Sequence, residues 1–281
     1  MKKILINEVG PRDGLQNIEN ILNVEERFDL IKSLEKAGIN SLEIGSFVNP
    51  KSVPAMANTD VLLDKLSTTK SHYSVLIPNT FGYKAAKENR VKEICLVLCA
   101  TESMNMENIN KSIKDTIVEF KEIIKMTKQD NIRSKIYLSV AFECPYEGIV
   151  NPDYIHELTK DFLSNGVNEV VIADTIGAGK PEQVKKLFNI LVNDFGPSKF
   201  SAHFHDTKSL AIPNVRAAME EGISKFDSCI AGLGGCPFAP GASGNLATED
   251  LVSMLHKEGI ETGIDEEMLR ESAKLAAKLT S

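Results

Sequence analysis

The sequence predicts an α/β fold of the (β/α)₈ TIM-barrel type with one additional C-terminal helix. Three observations carry this. Apolar runs bounded by turn residues alternate with longer amphipathic stretches along the whole chain. The alternation repeats eight times, and 281 residues is a length that fits a barrel of this kind.

The first strand is KILINEV (3–9). Its apolar run is too short for a secretory signal and stops at Asn7 and Glu8. VEERFDLIKSLEKAG (24–38) follows as an amphipathic helix, then NSLEIGSF (40–47) and SHYSVLI (71–77) as the second and third strands. KEICLVLC (92–99) is the fourth, with Cys95 and Cys99 read as buried, inert thiols. SIKDTIVEFKEIIKMTKQ (112–129) is helical and SKIYLSVAF (134–142) is the fifth strand. PDYIHELTKDFLSNG (152–166) starts after Asn, carries Pro in its first turn and ends on Gly, as helices favour. NEVVIAD (168–174), KFSAHFH (199–205) and KFDSCIAG (225–232) complete the eight strands, and IDEEMLRESAKLAAKL (264–279) remains as the added helix.

No Pro/Gly/Ser-rich tract or low-complexity segment divides the chain, so residues 1–281 are expected to form a single catalytic domain. A doubly wound open sheet is the main alternative, but no Gly-x-Gly-x-x-Gly follows the first strand. A hydrophobic content of 42% suffices for a sizeable core. A net charge of −7, without Lys/Arg clusters interleaved with aromatics, argues against a nucleic-acid partner. No apolar stretch is long enough to span a membrane. Five cysteines, an odd count without tight pairing, point to a reducing, cytoplasmic setting rather than a disulfide framework.

In a barrel of this kind the chemistry sits at the C-terminal ends of the strands. Arg12 and Asp13 follow strand one, Glu43 lies in strand two, Asp174 ends strand six, and His203 and His205 end strand seven. Beyond strand eight comes GLGGCPFAPGASGN, with Cys236 and Asn245. Alternation points His203 and His205 the same way, with Phe204 toward the helical layer. Both imidazoles can therefore reach one ion, with the carboxylate of Asp13 and the amide oxygen of Asn245 adding oxygen ligands. A mixed N/O set without thiolates favours Mg²⁺ or Mn²⁺, with zinc and iron left open. The competing reading is a pair of hydrogen-bonded core histidines.

Asp206 points away from the pair and is expected to cap the next helix. Asp174 either shapes its Gly-containing loop or contacts substrate. Cys236 sits among five glycines and two prolines; it is either a tolerated small residue or an acid or nucleophile on a mobile lid that excludes water.

EVGPRDGLQN, SLEIGSFVNPKSVPAM, CPYEG, DTIGAG, HFHDT and GLGGCPFAPGASGNLATEDLV together resemble the 3-hydroxy-3-methylglutaryl-CoA lyases, metal-dependent enzymes with an Arg-Asp first-strand motif on a TIM barrel. The likeness covers nearly the whole chain. It implies that Asp13, His203, His205 and Asn245 hold a divalent cation and that Arg12 and Cys236 are catalytic. It also implies substrate contacts from Arg12, Gln16, Glu43, Ser46 and Asp174, and a homodimer. The implied reaction splits an acyl-CoA into acetyl-CoA and acetoacetate by a retro-Claisen step, with Asp13 or His203 as proton acceptor.

The chain departs from the family pattern at Ile18-Glu19, at Lys208-Ser209-Leu210-Ala211 and at Glu143. None is an expected metal ligand, and all bear on the acyl substituent. Competing functions are cleavage of a related 3-hydroxy-3-alkylglutaryl-CoA, a Claisen-type synthase on the same scaffold, a two-histidine, one-carboxylate iron oxygenase, and a metal-binding barrel without turnover. Arg12 and Cys236 argue against the last, since neither is needed to bind a metal.

Overall fold

The computed structural model describes residues 3–68, 70–234 and 244–281. Eight parallel strands close into a barrel: β1 (Leu5–Glu8), β2 (Ser41–Ser46), β3 (His72–Leu76), β4 (Glu93–Cys99), β5 (Arg133–Ser139), β6 (Glu169–Asp174), β7 (Phe200–Phe204) and β8 (Lys225–Ser228). Each pairs with its successor, and β8 closes on β1 with Leu5 opposite Lys225 and Glu8 opposite Ser228. Strands such as EICLVLC are nearly continuously apolar because one face packs against helices and the other fills the barrel.

The helical layer comprises α1 (Val24–Lys36), α2 (Thr59–Lys65), α3 (Thr80–Glu88), α4 (Glu102–Ile109), α5 (Ile113–Asp130), α6 (Pro152–Asn165), α7 (Pro181–Phe195), α8 (Ala211–Glu220) and α9 (Thr248–Lys257). Asn23 caps α1 reciprocally with Glu26. Asn151 caps α6, Pro152 occupies its first turn and Gly166 (φ 97°) ends it, as the sequence predicts. The added helix α10 (Glu266–Thr280) lies against α1, tied by Ser33 and Ser272 hydroxyls 2.6 Å apart and by Asp265 N donating to Ala37 O at 2.8 Å. Among the described residues, no helix is long and apolar enough to cross a membrane.

Two strands end earlier than their apolar runs suggest. Val140 adopts φ 51°, a left-handed conformation uncommon for a β-branched residue, and turns the chain out of β5 at the barrel mouth. Its N–H donates to the Thr175 hydroxyl at 2.9 Å. After β8, Ile230 N donates to the Glu8 carboxylate instead of continuing the ladder. A short turn over Ile230–Gly232 follows, with Ala231 at φ 55°.

Candidate metal centre and barrel mouth

Arg12 and Asp13 sit on one wide helical turn, Gly10–Gly14, whose N–H groups of Arg12, Asp13 and Gly14 all converge on Val9 O. Wide turns of this kind recur at functional sites. Two glycines let the turn pack close. A Cβ on Gly10 would lie 2.6 Å from Glu8 Oε1, and one on Gly14 would lie 2.6 Å from Cys229 Sγ. The buried Glu8 carboxylate ties the turn to the end of β8, accepting from Gly10 N at 2.7 Å, Ile230 N at 2.9 Å and the Thr248 hydroxyl at 2.6 Å. Burial raises its pKa to about 7, against the lowering effect of those bonds.

Asn245 reaches the same place by a different route. After the segment 235–243, which lies outside the described residues and contains Cys236, the chain returns antiparallel to His205. Asp206 N donates to Gly244 O at 2.8 Å, Leu246 N to Phe204 O at 3.1 Å and Cys229 N to Leu246 O at 2.9 Å. This ladder sets Asn245 beside His205. The Asn245 amide donates to Asp13 Oδ2 at 2.7 Å and to Leu233 O at 3.0 Å, so both its N–H groups are engaged.

One ligand atom from each of Asp13, His203 and His205 lies within 4.8 Å of the others. The two imidazole centroids are 5.3 Å apart. His205 Nδ1 and Asn245 Oδ1 are fully buried and have no hydrogen-bond partner among the described residues. Buried acceptors are rarely left unpaired without a reason. The Asp13 carboxylate and the two imidazoles, with an unpaired ring nitrogen and an unpaired amide oxygen on neighbouring residues, fit a divalent cation with mixed N/O ligation.

The protonation states of His205 and Asp13 agree. Burial, then the neighbouring charge of His203, pushes His205 down to about 4, so it is neutral and able to ligate. Burial alone would raise Asp13, but Arg12, then His203 and His205, hold it well below the carboxylate range. Burial alone would lower His203; its hydrogen bond to Asp227 and the charges of Asp227 and Asp13 outweigh this and raise it. Asp227 is held below its ordinary range by that bond and by Lys135, against the cost of its burial.

Arg12 is 5% exposed and bridges two carboxylates, Nε to Glu43 Oε1 and Nη1 to Asp13 Oδ1, both at 2.5 Å. Burial disfavours its charge, but Glu43 and Asp13 more than restore it. Glu43 also accepts from the Tyr137 hydroxyl at 3.0 Å. Burial, followed by the charges of Asp227 and Glu43, raises the Tyr137 pKa far above its usual value, so the phenol stays a donor. The fork of Arg12 is thereby fixed from two sides.

Above these groups opens a cavity of about 480 Å³. Arg12, Asp13, Gln16, His203 and His205 line its polar wall, while Leu76, Val97, Met104 and Phe120 form an apolar one. Glu43 lies beneath it, reached through Arg12. Ser46 ends β2 with a buried hydroxyl that has no partner among the described residues. Asp174 uses both carboxylate oxygens on its own loop, accepting from Ala178 N at 3.1 Å and Gly179 N at 2.9 Å. Asp206 accepts from Ala211 N at 2.9 Å, at the start of α8.

Tyr137, Asp227 and Glu8 were not singled out by the sequence. In KIYLS, KFDS and LINE they stand among other polar residues of their strands, indistinguishable by pattern from solvent-facing positions. Only the closed barrel shows that Tyr137 and Asp227 point inward and that Glu8 turns toward Thr248 at the start of α9.

The family model described as HMGL-like matches residues 3–276. A hydroxymethylglutaryl-CoA lyase of Pseudomonas mevalonii is 38% identical over 281 residues, covering 99% of this chain and 93% of the relative. The human mitochondrial hydroxymethylglutaryl-CoA lyase is 42% identical over 272 residues, covering 96% and 84%. A crystal structure of hydroxymethylglutaryl-CoA lyase from Pseudomonas aeruginosa superposes with a TM-score of 0.95 at 37% identity, covering 99% of this chain and 93% of that one.

Proposed function

Because the chain belongs to the HMGL-like family, we propose that it is a divalent-metal-assisted carbon–carbon lyase cleaving 3-hydroxy-3-methylglutaryl-CoA to acetyl-CoA and acetoacetate. The observation that carries this reading is the convergence of Asp13, His203 and His205 within 4.8 Å, beside Arg12 and beneath the mouth cavity.

Asp13, His203, His205 and Asn245 would hold the cation, Mg²⁺ or Mn²⁺ on the hardness of the oxygen ligands. When bound, such an ion polarises ligand oxygens and lowers the pKa of a hydroxyl. The tertiary hydroxyl gives its proton to Asp13 or His203, and the alkoxide pair becomes the ketone C=O of acetoacetate. The carbon–carbon bond breaks, and its electron pair passes into the thioester as an enolate, which is then protonated to acetyl-CoA. Arg12 offers a fixed, permanently charged fork to the oxygen where that charge gathers. Asp13 and Glu43 hold the fork in place, so the donor needs little reorganisation during the reaction. Gln16 on the polar wall is a further substrate contact. Cys236 is the proposed acid that protonates the enolate carbon.

We place the enzyme in the cytoplasm on its odd, loosely spaced cysteines, and assign it a homodimeric state on the family resemblance. The test of function is release of acetyl-CoA from a panel of 3-hydroxy-3-alkylglutaryl-CoA esters with Mg²⁺, with and without EDTA. Metal-dependent release from the 3-methyl ester is expected. No release from any ester, with metal shown to be bound, would leave the non-catalytic barrel.

A further inference from the structure

We infer that Asp227, on β8, is a positioning residue for the metal ligand His203, and that it acts at the end of a hydrogen-bond chain crossing the barrel interior. The inference rests on the proposed metal site. Asp227 is 2% exposed, and its Oδ2 lies 3.3 Å from His203 Nδ1. Its other oxygen accepts from Asn7 Nδ2 at 2.9 Å, and the Ser41 hydroxyl donates to Asn7 Oδ1 at 2.9 Å. Residues of β2, β1, β8 and β7 are thus linked in sequence, ending on the imidazole.

The chain has a direction. Ser41 donates to Asn7, Asn7 donates to Asp227, and the carboxylate, with no proton of its own to give, requires the N–H of His203 on Nδ1. The Nε2 lone pair is then the one left for the ion, so that of the two candidate acceptors of the substrate's proton Asp13, not His203, takes it. A buried carboxylate behind a ligating histidine fixes its tautomer and raises its basicity. Among the described residues His205 has no such partner on Nδ1, which is buried and unpaired. The two histidines are therefore not equivalent: one is oriented by a charged neighbour, the other is held by the ladder that carries Asn245.

The arrangement also explains why a carboxylate is tolerated in the barrel interior. Lys135, 4% exposed on β5, stands between Glu93 at 3.8 Å and Glu169 at 3.4 Å, and its charge also acts on Asp227. Ser41, Asn7 and Asp227 take no part in the cleavage chemistry itself. Its expected signature is therefore in metal affinity first and turnover second.

The test is Mn²⁺ binding to the metal-stripped full chain by calorimetry, which needs no substrate. Asp227→Asn keeps the size of the side chain and removes its charge; its Mn²⁺ Kd is expected to rise about 10- to 100-fold. Asn7→Ala should weaken binding in the same direction and by less. An Asp227→Asn Kd within twofold of wild type overturns the inference, whatever the enzyme's activity. Nitrogen-15 spectra of the metal-free wild type at alkaline pH supply a reading independent of any variant. Protonation of His203 on Nδ1 is expected, and a neutral His203 protonated on Nε2 overturns it. Failure of the lyase assay with these results intact would remove the proposed reaction and leave the positioning role.

Discussion

Glu8 offers the clearest physical lever. Its carboxylate is wholly buried, clamps Gly10 N and Ile230 N, and has its pKa raised from 4.5 to about 7. A raised carboxyl pKa in the folded state means that the unfolded chain loses this proton first as pH rises. Below the unfolded value Glu8 is protonated in both states. Between about 4.5 and about 7 the fold holds a proton that the unfolded chain has released, so stability falls with rising pH, levelling off above about 7. The span corresponds to about 3 kcal/mol at 1.36 kcal/mol per pKa unit. Glu8→Gln abolishes the titration while keeping an acceptor oxygen for both backbone N–H groups and an N–H for the Thr248 hydroxyl. Thermal unfolding of the metal-free chain should therefore show the variant gaining on wild type as pH rises. The gain should total roughly 5 °C or more between mildly acidic and mildly alkaline pH for a chain of this size. A difference that stays flat across that range would refute the buried, proton-holding state of Glu8.

The remaining predictions concern the site. Arg12→Lys should lower kcat by about 10²- to 10³-fold, as loss of a fixed oxyanion donor does, while Mn²⁺ affinity measured by calorimetry changes far less. His205→Ala should abolish high-affinity Mn²⁺ binding, weakening it by more than ~100-fold, because loss of a ligand exceeds the cost of losing the group behind it. Cys236→Ala should depress turnover with Mn²⁺ Kd unchanged; unaltered turnover would end its role as the acid.

How much of this was legible in the sequence follows from what each residue's neighbours are. The barrel strands were readable because a parallel wall, packed on both faces, is written as long apolar runs. His203 and His205 stood out because two imidazoles in such a run have few innocent readings. Strand ends were less legible. Nothing local distinguishes the left-handed Val140 from an extended valine, or shows that Glu8 will draw Ile230 N–H off the ladder. Asp227, unlike Glu43, was invisible for a related reason. Asp227 meets His203 across 24 residues and Asn7 across 220; pairing of β8 with β7 makes the first contact, and only closure of β8 onto β1 makes the second. Asp174 is the instructive intermediate: its sequence allowed a loop role or a substrate role, and the structure shows its two oxygens on loop N–H groups.

Anomalous diffraction from crystals grown in Mn²⁺ would show whether one ion joins strand one, strand seven and the returning segment. A single manganese peak within about 2.5 Å of an Asp13 carboxylate oxygen, a nitrogen of each of His203 and His205, and Asn245 Oδ1 is the expected result. A peak seated elsewhere, or imidazoles turned toward separate partners with the metal present, would contradict a shared centre and the lyase built on it.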